Sequence, residues 1–251
     1  LDVARPLLDQ LFQTVGQTGC AVMLSDARGI VMEARATDGD RAMFDAAGLT
    51  PGGNWSELAE GTNGIGTCLV EGRAVTVHRD EHLANRNIGI SCMDAPIFDA
   101  FGQLVGALDV SSCRDDHSAA IANLVQKLVQ DAARRIERGV FYRHFNGRRI
   151  IDANEPGGDA ALLAVDQDDL LVGATRAARM KFGLTDEALK GTQSAAALLG
   201  HGANDSFEDA ERATLRRALA AAGGNASQAA RTLGIGRATF YRRMERVGLE
   251  R

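Results

Sequence analysis

Lysine is scarce in this chain: three residues stand against 25 arginines in a total of 251. They are Lys127, Lys181 and Lys190, and they follow Gln126, Met180 and Leu189. None follows a glycine, so the Gly-x-x-x-x-Gly-Lys-Ser/Thr loop that cradles nucleotide phosphates is missing, and ATP-driven chemistry of that type is excluded. The arginine bias reads as a GC-rich genome rather than as chemistry. Cysteine is also sparse. Cys20, Cys68, Cys92 and Cys113 are widely spaced with no Cys-x-x-Cys pair, which argues against a structural zinc site. No apolar run reaches the length of about 18 residues that a membrane helix needs, and no signal-peptide pattern opens the chain. The expectation is a reduced, cytoplasmic protein with no membrane partner. The first residue is Leu1 rather than Met, so further residues are expected upstream in the native protein.

What the chain does have is enough apolar content, 45% of residues, for two domains or two and a remnant. Its charge is unevenly placed. Residues 205–251 carry nine arginines and six acids, a balance of +3, whereas the first 204 carry 19 basic and 27 acidic side chains, a balance of −8. A small basic module on an acidic body is what a phosphate-binding partner calls for.

That module reads as two helices around a tight turn. Asn225 is an N-cap, because its side-chain oxygen can accept from the free amides of a first turn. Ala226 to Leu233 forms a short helix whose Ala229 and Ala230 let another helix approach. Gly234 suits the left-handed residue that ends it, and Ile235 drops between the helices. From Arg237 to Val247 a second helix places Phe240, Met244 and Val247 on one face and leaves the arginines on the others. Glu208 to Ala222 supplies a preceding helix, capped by Asp205 or Ser206 and stopped by Gly223-Gly224. This is a helix-turn-helix, with duplex DNA as the expected partner. The bland alternative is a three-helix cap with a solvated arginine face.

The residues Asn225-x-Ser227-x-Ala229-Ala230-x-x-Leu233-Gly234-Ile235 and Arg237-x-Thr239-Phe240-Tyr241-Arg242-Arg243 resemble the Fis-type DNA-binding domain of bacterial activators. The resemblance implies that Arg237 reaches a guanine edge, while Asn225, Thr239, Arg242 and Arg243 hold phosphates. Ser227 and Tyr241 complete the implied DNA-facing set. Gly236 departs from Fis itself, which has a polar side chain at the groove there, and specificity would rest on Arg237 and on DNA shape.

Upstream, Arg5 to Val15 reads as an amphipathic helix. A local pattern then occurs three times, around Asp26-Ala-Arg-Gly29, Asp99-Ala-Phe-Gly102 and Asp166-Gln-Asp-Asp169, each between two apolar runs. The Asp side chain can bond backbone two residues on, and Gly or Asp tolerates the left-handed position, so three hairpins are expected. Periodicity alone gives an α+β chain with antiparallel sheets. Asp115 to Phe141 has apolar residues at three-to-four spacing. They mark a long helix whose stripe is either core or a homodimer seam. The stretches 152–159 and 200–206 read as loops.

The middle of the chain carries a second resemblance: Asn54-Trp55-Ser56-Glu57, the run Glu60 to Thr67 (Glu-Gly-Thr-Asn-Gly-Ile-Gly-Thr), Val75-x-Val77, Glu81-His82, Ser91-Cys92-x-x-Ala95-Pro96-Ile97 and Gly106-Ala-Leu-Asp109-Val-Ser111. Together these look like the GAF domain of the acetoin-catabolism regulator group. Leu162 to Gly191 resembles the first half of the PAS-like segment that follows in that group. The implied domains are a GAF sensor at 1–144, a PAS-like remnant and linker at 145–204, packed as a hairpin and helix, and the Fis-type module at 205–251. The resemblance also implies a ligand cup for a small-molecule effector, with Trp55, Asn63, Ile65, His82 and Cys92 as its side chains. Against this, Gly61, Gly64 and Gly66 read first as packing glycines at a sharp turn, and Trp55 can simply fill core. His78, His82, Cys92 and Asp94 match no strong metal-ligand spacing, so no metal is expected.

Regulators of this build usually carry an ATPase between sensor and tail, which this sequence lacks. The expectation is a one-component transcription regulator: not an enzyme, with no catalytic residue and no cofactor, and with RNA polymerase as a further partner. Two alternatives stay open. One is a thiol-based sensor or reductase using Cys68, Cys92 or Cys113. The other is a DNA-architectural protein whose GAF domain only dimerises.

Overall fold

The protein is described from a computed structural model covering residues 1–114, 118–154, 160–200 and 207–249. The expected caps Asp205 and Ser206, and the first residues of the stretch 115–141, lie outside the described residues. The chain folds as two compact units, 1–193 and 194–251.

Five strands form the main sheet of the first unit: β1 (Cys20–Asp26), β2 (Val31–Arg35), β3 (Val75–His78), β4 (Ser91–Phe98) and β5 (Leu104–Ser112). Their order is β2-β1-β5-β4-β3, with every pair antiparallel. One face packs on α1 (Ala4–Val15) and α5 (Ala119–His144). Leu8, Leu11, Val125, Val129 and Ile136 meet Val22, Leu24, Met93, Ile97, Leu108 and Val110 there. The other face packs on α2 (Asp38–Ala47) and α4 (Gly64–Glu71), through Phe44, Trp55, Ile65 and Cys68 on Met23, Cys92 and Ala107, and the short α3 (Glu57–Glu60) lies against α4. Alternate residues of the central strands therefore feed two separate cores.

The expected hairpins are present, with one turn chemistry repeated. Asp26 Oδ1 accepts from the amides of Arg28 and Ile30 at 2.9 and 3.0 Å. Asp99 Oδ1 accepts from Phe101 and Gln103, both at 2.9 Å. Asp166 Oδ1 accepts from Asp168 and Leu170, both at 2.9 Å. The last turn position is left-handed each time, with φ of 82° at Gly29, 77° at Gly102 and 66° at Asp169.

A second sheet, β6-β7-β8, follows: β6 (Arg149–Asp152), β7 (Leu162–Val165) and β8 (Leu171–Ala174), with α6 (Arg176–Phe182) beside it. Strand β6 goes beyond the hairpin and helix expected for this segment. Its Ile150 and Ile151 suit a strand and pair with Ala164 and Leu163 on β7. The sheet shares the first unit's interior, where Phe141 and Phe145 of the α5 end bury Leu162 and Ala164.

The second unit contains α7 (Ala195–Leu198), α8 (Phe207–Ala221), α9 (Ala226–Thr232) and α10 (Arg237–Arg246). Leu215, Ala218, Ala229, Ala230, Phe240, Met244 and Val247 form its core. Among the described residues no helix is long and apolar enough to cross a membrane.

Candidate functional site

In the second unit Asn225 caps α9, its Oδ1 accepting from Ser227 and Gln228 amides at 3.1 and 3.2 Å. Gly234 has φ of 67°, and the amide of Ile235 returns to the carbonyl of Ala230 at 3.0 Å. Ala229 and Ala230 are fully buried, so the two helices approach closely. These contacts aim α10 outward. Arg237, Arg242 and Arg243 are exposed, while Ser227, Thr239 and Tyr241 are half-buried. The Arg237 guanidinium lies 5.6 Å from the Tyr241 ring centroid, a cation–π contact.

Two of the arginines are already engaged. Glu211 of α8 is ion-paired with Arg246, and with Arg243 at 3.4 Å. Arg212 Nε donates to the Val247 carbonyl at 2.6 Å. The expected phosphate ligand Arg243 is thus half committed to its own unit. Among the described residues, neither Arg237 nor Arg242 has an acidic partner.

The five expected ligand-contacting residues all gather about α4 and β4, and all are buried. Trp55 fills core and donates from Nε1 to the Gly48 carbonyl at 2.9 Å. Ile65 packs with it. Asn63 caps α4, accepting from the Gly66 amide at 2.8 Å and donating to the Gly61 carbonyl at 2.9 Å. His82 Nδ1 donates to the Arg79 carbonyl at 2.9 Å, and its Nε2 lies 3.5 Å from Cys92 Sγ. Burial lowers the pKa of His82, so its ring is neutral and Cys92 is the donor to Nε2. The side chains line a packed interior; a cavity of about 620 Å³ lies elsewhere, lined by Leu24, Ile97, Val105, Ile136, Val140 and Arg143 among others.

Beneath them is a group that residue types and spacing alone do not single out as a unit. Asp94 on β4 and Asp109 on β5 point to the α4 side and are fully buried. Ser111 Oγ lies 2.9 and 3.0 Å from the two Asp109 oxygens and 3.1 Å from Cys92 Sγ. Burial raises the pKa of Asp94 well above the carboxylate range, and the neighbouring Asp109 adds to the effect. Burial lifts Asp109 to about 7, with the hydrogen bond from Ser111 acting against the rise. The signal available in the sequence was one Asp inside each of two otherwise uncharged strand runs, Ser91–Phe98 and Leu104–Ser112.

The thiols are held protonated. Burial raises Cys20, Cys68 and Cys92, and lifts Cys113 to about 11. The charges of Asp94 and Asp109 push Cys68 and Cys92 further in the same direction. Such thiols are poor nucleophiles. Among the described residues no three His, Cys, Asp or Glu side chains could hold a metal ion.

Residues 1–136 match the GAF domain family, and residues 206–246 match the bacterial regulatory protein, Fis family. The acetoin catabolism regulatory protein of Cupriavidus necator is 32% identical over 183 residues, covering 71% of this chain and 27% of that protein. The acetoin dehydrogenase operon transcriptional activator AcoR of Bacillus subtilis is 33% identical over 114 residues, covering 44% of this chain and 18% of that protein. The chain therefore spans about a quarter or less of the length of these relatives. Among solved structures, the E. coli DhaR(N)–DhaL complex is similar with a TM-score of 0.49 at 15% identity, over 78% of this chain and 69% of that one. The chain belongs to the GAF-domain family and joins that domain to a Fis-type helix-turn-helix, the pairing of a transcription regulator.

Proposed function

We propose that this chain is a one-component, cytoplasmic transcription regulator in which a signal read by the GAF domain modulates sequence-specific DNA binding. The observation that carries this reading is the exposed arginine face of α10, set on a capped helix-turn-helix, in the same chain as a GAF domain. Arg237 contacts a base edge and Arg242 a phosphate, with Asn225, Ser227, Thr239, Tyr241 and Arg243 around them. The effector acts at the interior lined by Trp55, Asn63, Ile65, His82 and Cys92, which opens to admit it. A ligand must favour one of two arrangements of the protein, since equal affinity for both shifts nothing.

Only 69 residues separate the two matched segments, 137–205, and the sequence holds no phosphate loop. Regulation proceeds without ATP hydrolysis, by recruiting RNA polymerase or by occluding it. The outer side of α5 exposes Ile121 and Leu124, and this face forms the homodimer seam. A dimer of this kind reads two half-sites about one helical turn apart.

The test is fluorescence anisotropy on a panel of labelled duplexes at several salt concentrations, with a thermal-shift screen of metabolites alongside. Saturation at about 100 times the dissociation constant stabilises the chain by about 2.7 kcal/mol. Absence of binding to any duplex in dilute salt would overturn the reading.

A further inference from the structure

Asp94 and Asp109 stand directly opposite each other in the β4–β5 ladder. Like charges so placed destabilise a sheet, and charges out of water do so far more. Ser111 gives Asp109 a donor. Neither oxygen of Asp94 has one. The titratable groups around the pair do not compensate. Cys92 on β4, Cys68 on α4, Cys20 on β1 and Cys113 after β5 are protonated, and His82 beyond β3 is neutral. Arg73, whose charge reaches Cys68, is exposed and paired with Glu71 at 3.0 Å.

Space narrows the choice of partner. A methyl group on Gly64 would stand 2.1 Å from Asp94 Oδ2 and 2.4 Å from Cys92 Cβ, so the first turn of α4 sits directly on the pair. At that point no added side-chain atom fits, whereas a proton carried by the carboxyls themselves needs no added space.

We propose that Asp94 and Asp109 together form a proton-binding site in the sensor, and that proton release loosens the seat of α4 on β4 and β5. A proton on Asp94 directed at Asp109 supplies the hydrogen bond that Asp94 lacks and leaves Ser111 on Asp109. The pair behaves as one coupled acid that loses its protons in two steps, one of them near neutrality. Because the fold favours the protonated form, ionisation weakens the structure around the charge, and the nearest contact is Gly64. Asp94, Asp109 and Trp55 all lie in the GAF domain, so their titration is read without DNA.

The experiment is infrared spectroscopy of the whole chain labelled with carboxyl-13C aspartate. At about pH 6 ordinary aspartates and glutamates are ionised. A protonated-carboxyl band shifted by the label is therefore expected from this pair, weakening through a midpoint near 7. Trp55 is the only tryptophan, and a methyl on Gly66 of α4 would lie 2.9 Å from its carbonyl. Its emission should shift to the red over the same pH range. The Asp94→Asn/Asp109→Asn double variant should lose both the band and the shift. No labelled band at about pH 6, or an unchanged band in the double variant, overturns the site. Constant Trp55 emission while the band titrates overturns its link to α4. The wild-type spectra decide both points even where the double variant fails to fold.

Discussion

Glu211 of α8 holds Arg243 and Arg246 of α10 at once, and its own side chain is only 7% exposed while theirs are 46% and 53%. One carboxylate therefore staples the basic helix to its neighbour from behind. Glu211→Ala removes the staple, and the half-exposed guanidiniums recover water, so the loss is smaller than for a fully buried pair. We expect the second unit to lose about 1–3 kcal/mol. The two released arginines should raise affinity for every duplex and steepen its salt dependence. Circular dichroism melts and a salt series of anisotropy titrations measure the two effects.

Arg237 and Arg242 separate the two kinds of DNA contact. Arg237→Ala should cost about 1–3 kcal/mol on the preferred site, with discrimination relaxed at one base position. Arg242→Ala should weaken all duplexes alike and reduce the salt slope by about 1. Equal affinity of wild type and the Arg237 variant for the preferred site would remove the base-reading role.

Glycine-to-alanine changes should act with opposite signs at two positions. At Gly64 the new methyl would meet Asp94 Oδ2 at 2.1 Å, and overpacking of this sort costs about 1–3 kcal/mol. At Gly39, inside α2, the nearest atom is Thr37 Oγ1 at 3.9 Å. There the gain in helix propensity should stabilise the chain by up to about 1 kcal/mol. Denaturant midpoints of the two variants test the contrast.

Stability should fall as pH rises from about 4 toward neutrality. Unfolded, both Asp94 and Asp109 titrate near 4; folded, both are raised, Asp109 to about 7. Between those values the native state holds protons that the unfolded chain has released. Each such proton lowers the unfolding free energy by about 1.4 kcal/mol per pH unit. Above 7 the Asp109 contribution is constant. Urea titrations across this range should show the slope in the wild type and its loss in the double asparagine variant.

Elements that depend on local chemistry were legible in the sequence. Asp26, Asp99 and Asp166 announce their hairpins because an Asx turn is settled within five residues. Asn225 and Gly234 do the same for the helix-turn-helix. Relationships set by register were not legible. Asp94 and Asp109 are partners only because β4 and β5 pair in one particular alignment, and a slip of one residue would turn either to the other face. Glu211 meets Arg246 across 35 positions for the same kind of reason. Whether Trp55 and Ile65 line a space or fill it depends on side-chain packing, which residue type alone does not specify. Strand β6 was missed because four residues with two isoleucines form a strand only when β7 is beside them.

Helix α5 has 26 residues, a rod of about 39 Å. Near one end Val125 and Val129 grip the five-stranded sheet, and at the other Phe141 and Phe145 lie under the three-stranded one. Gly173 admits the Phe145 ring so tightly that a methyl there would come within 2.1 Å of it. One rod thus lies under both sheets, and a roll against the first would be felt by the phenylalanines beneath the second.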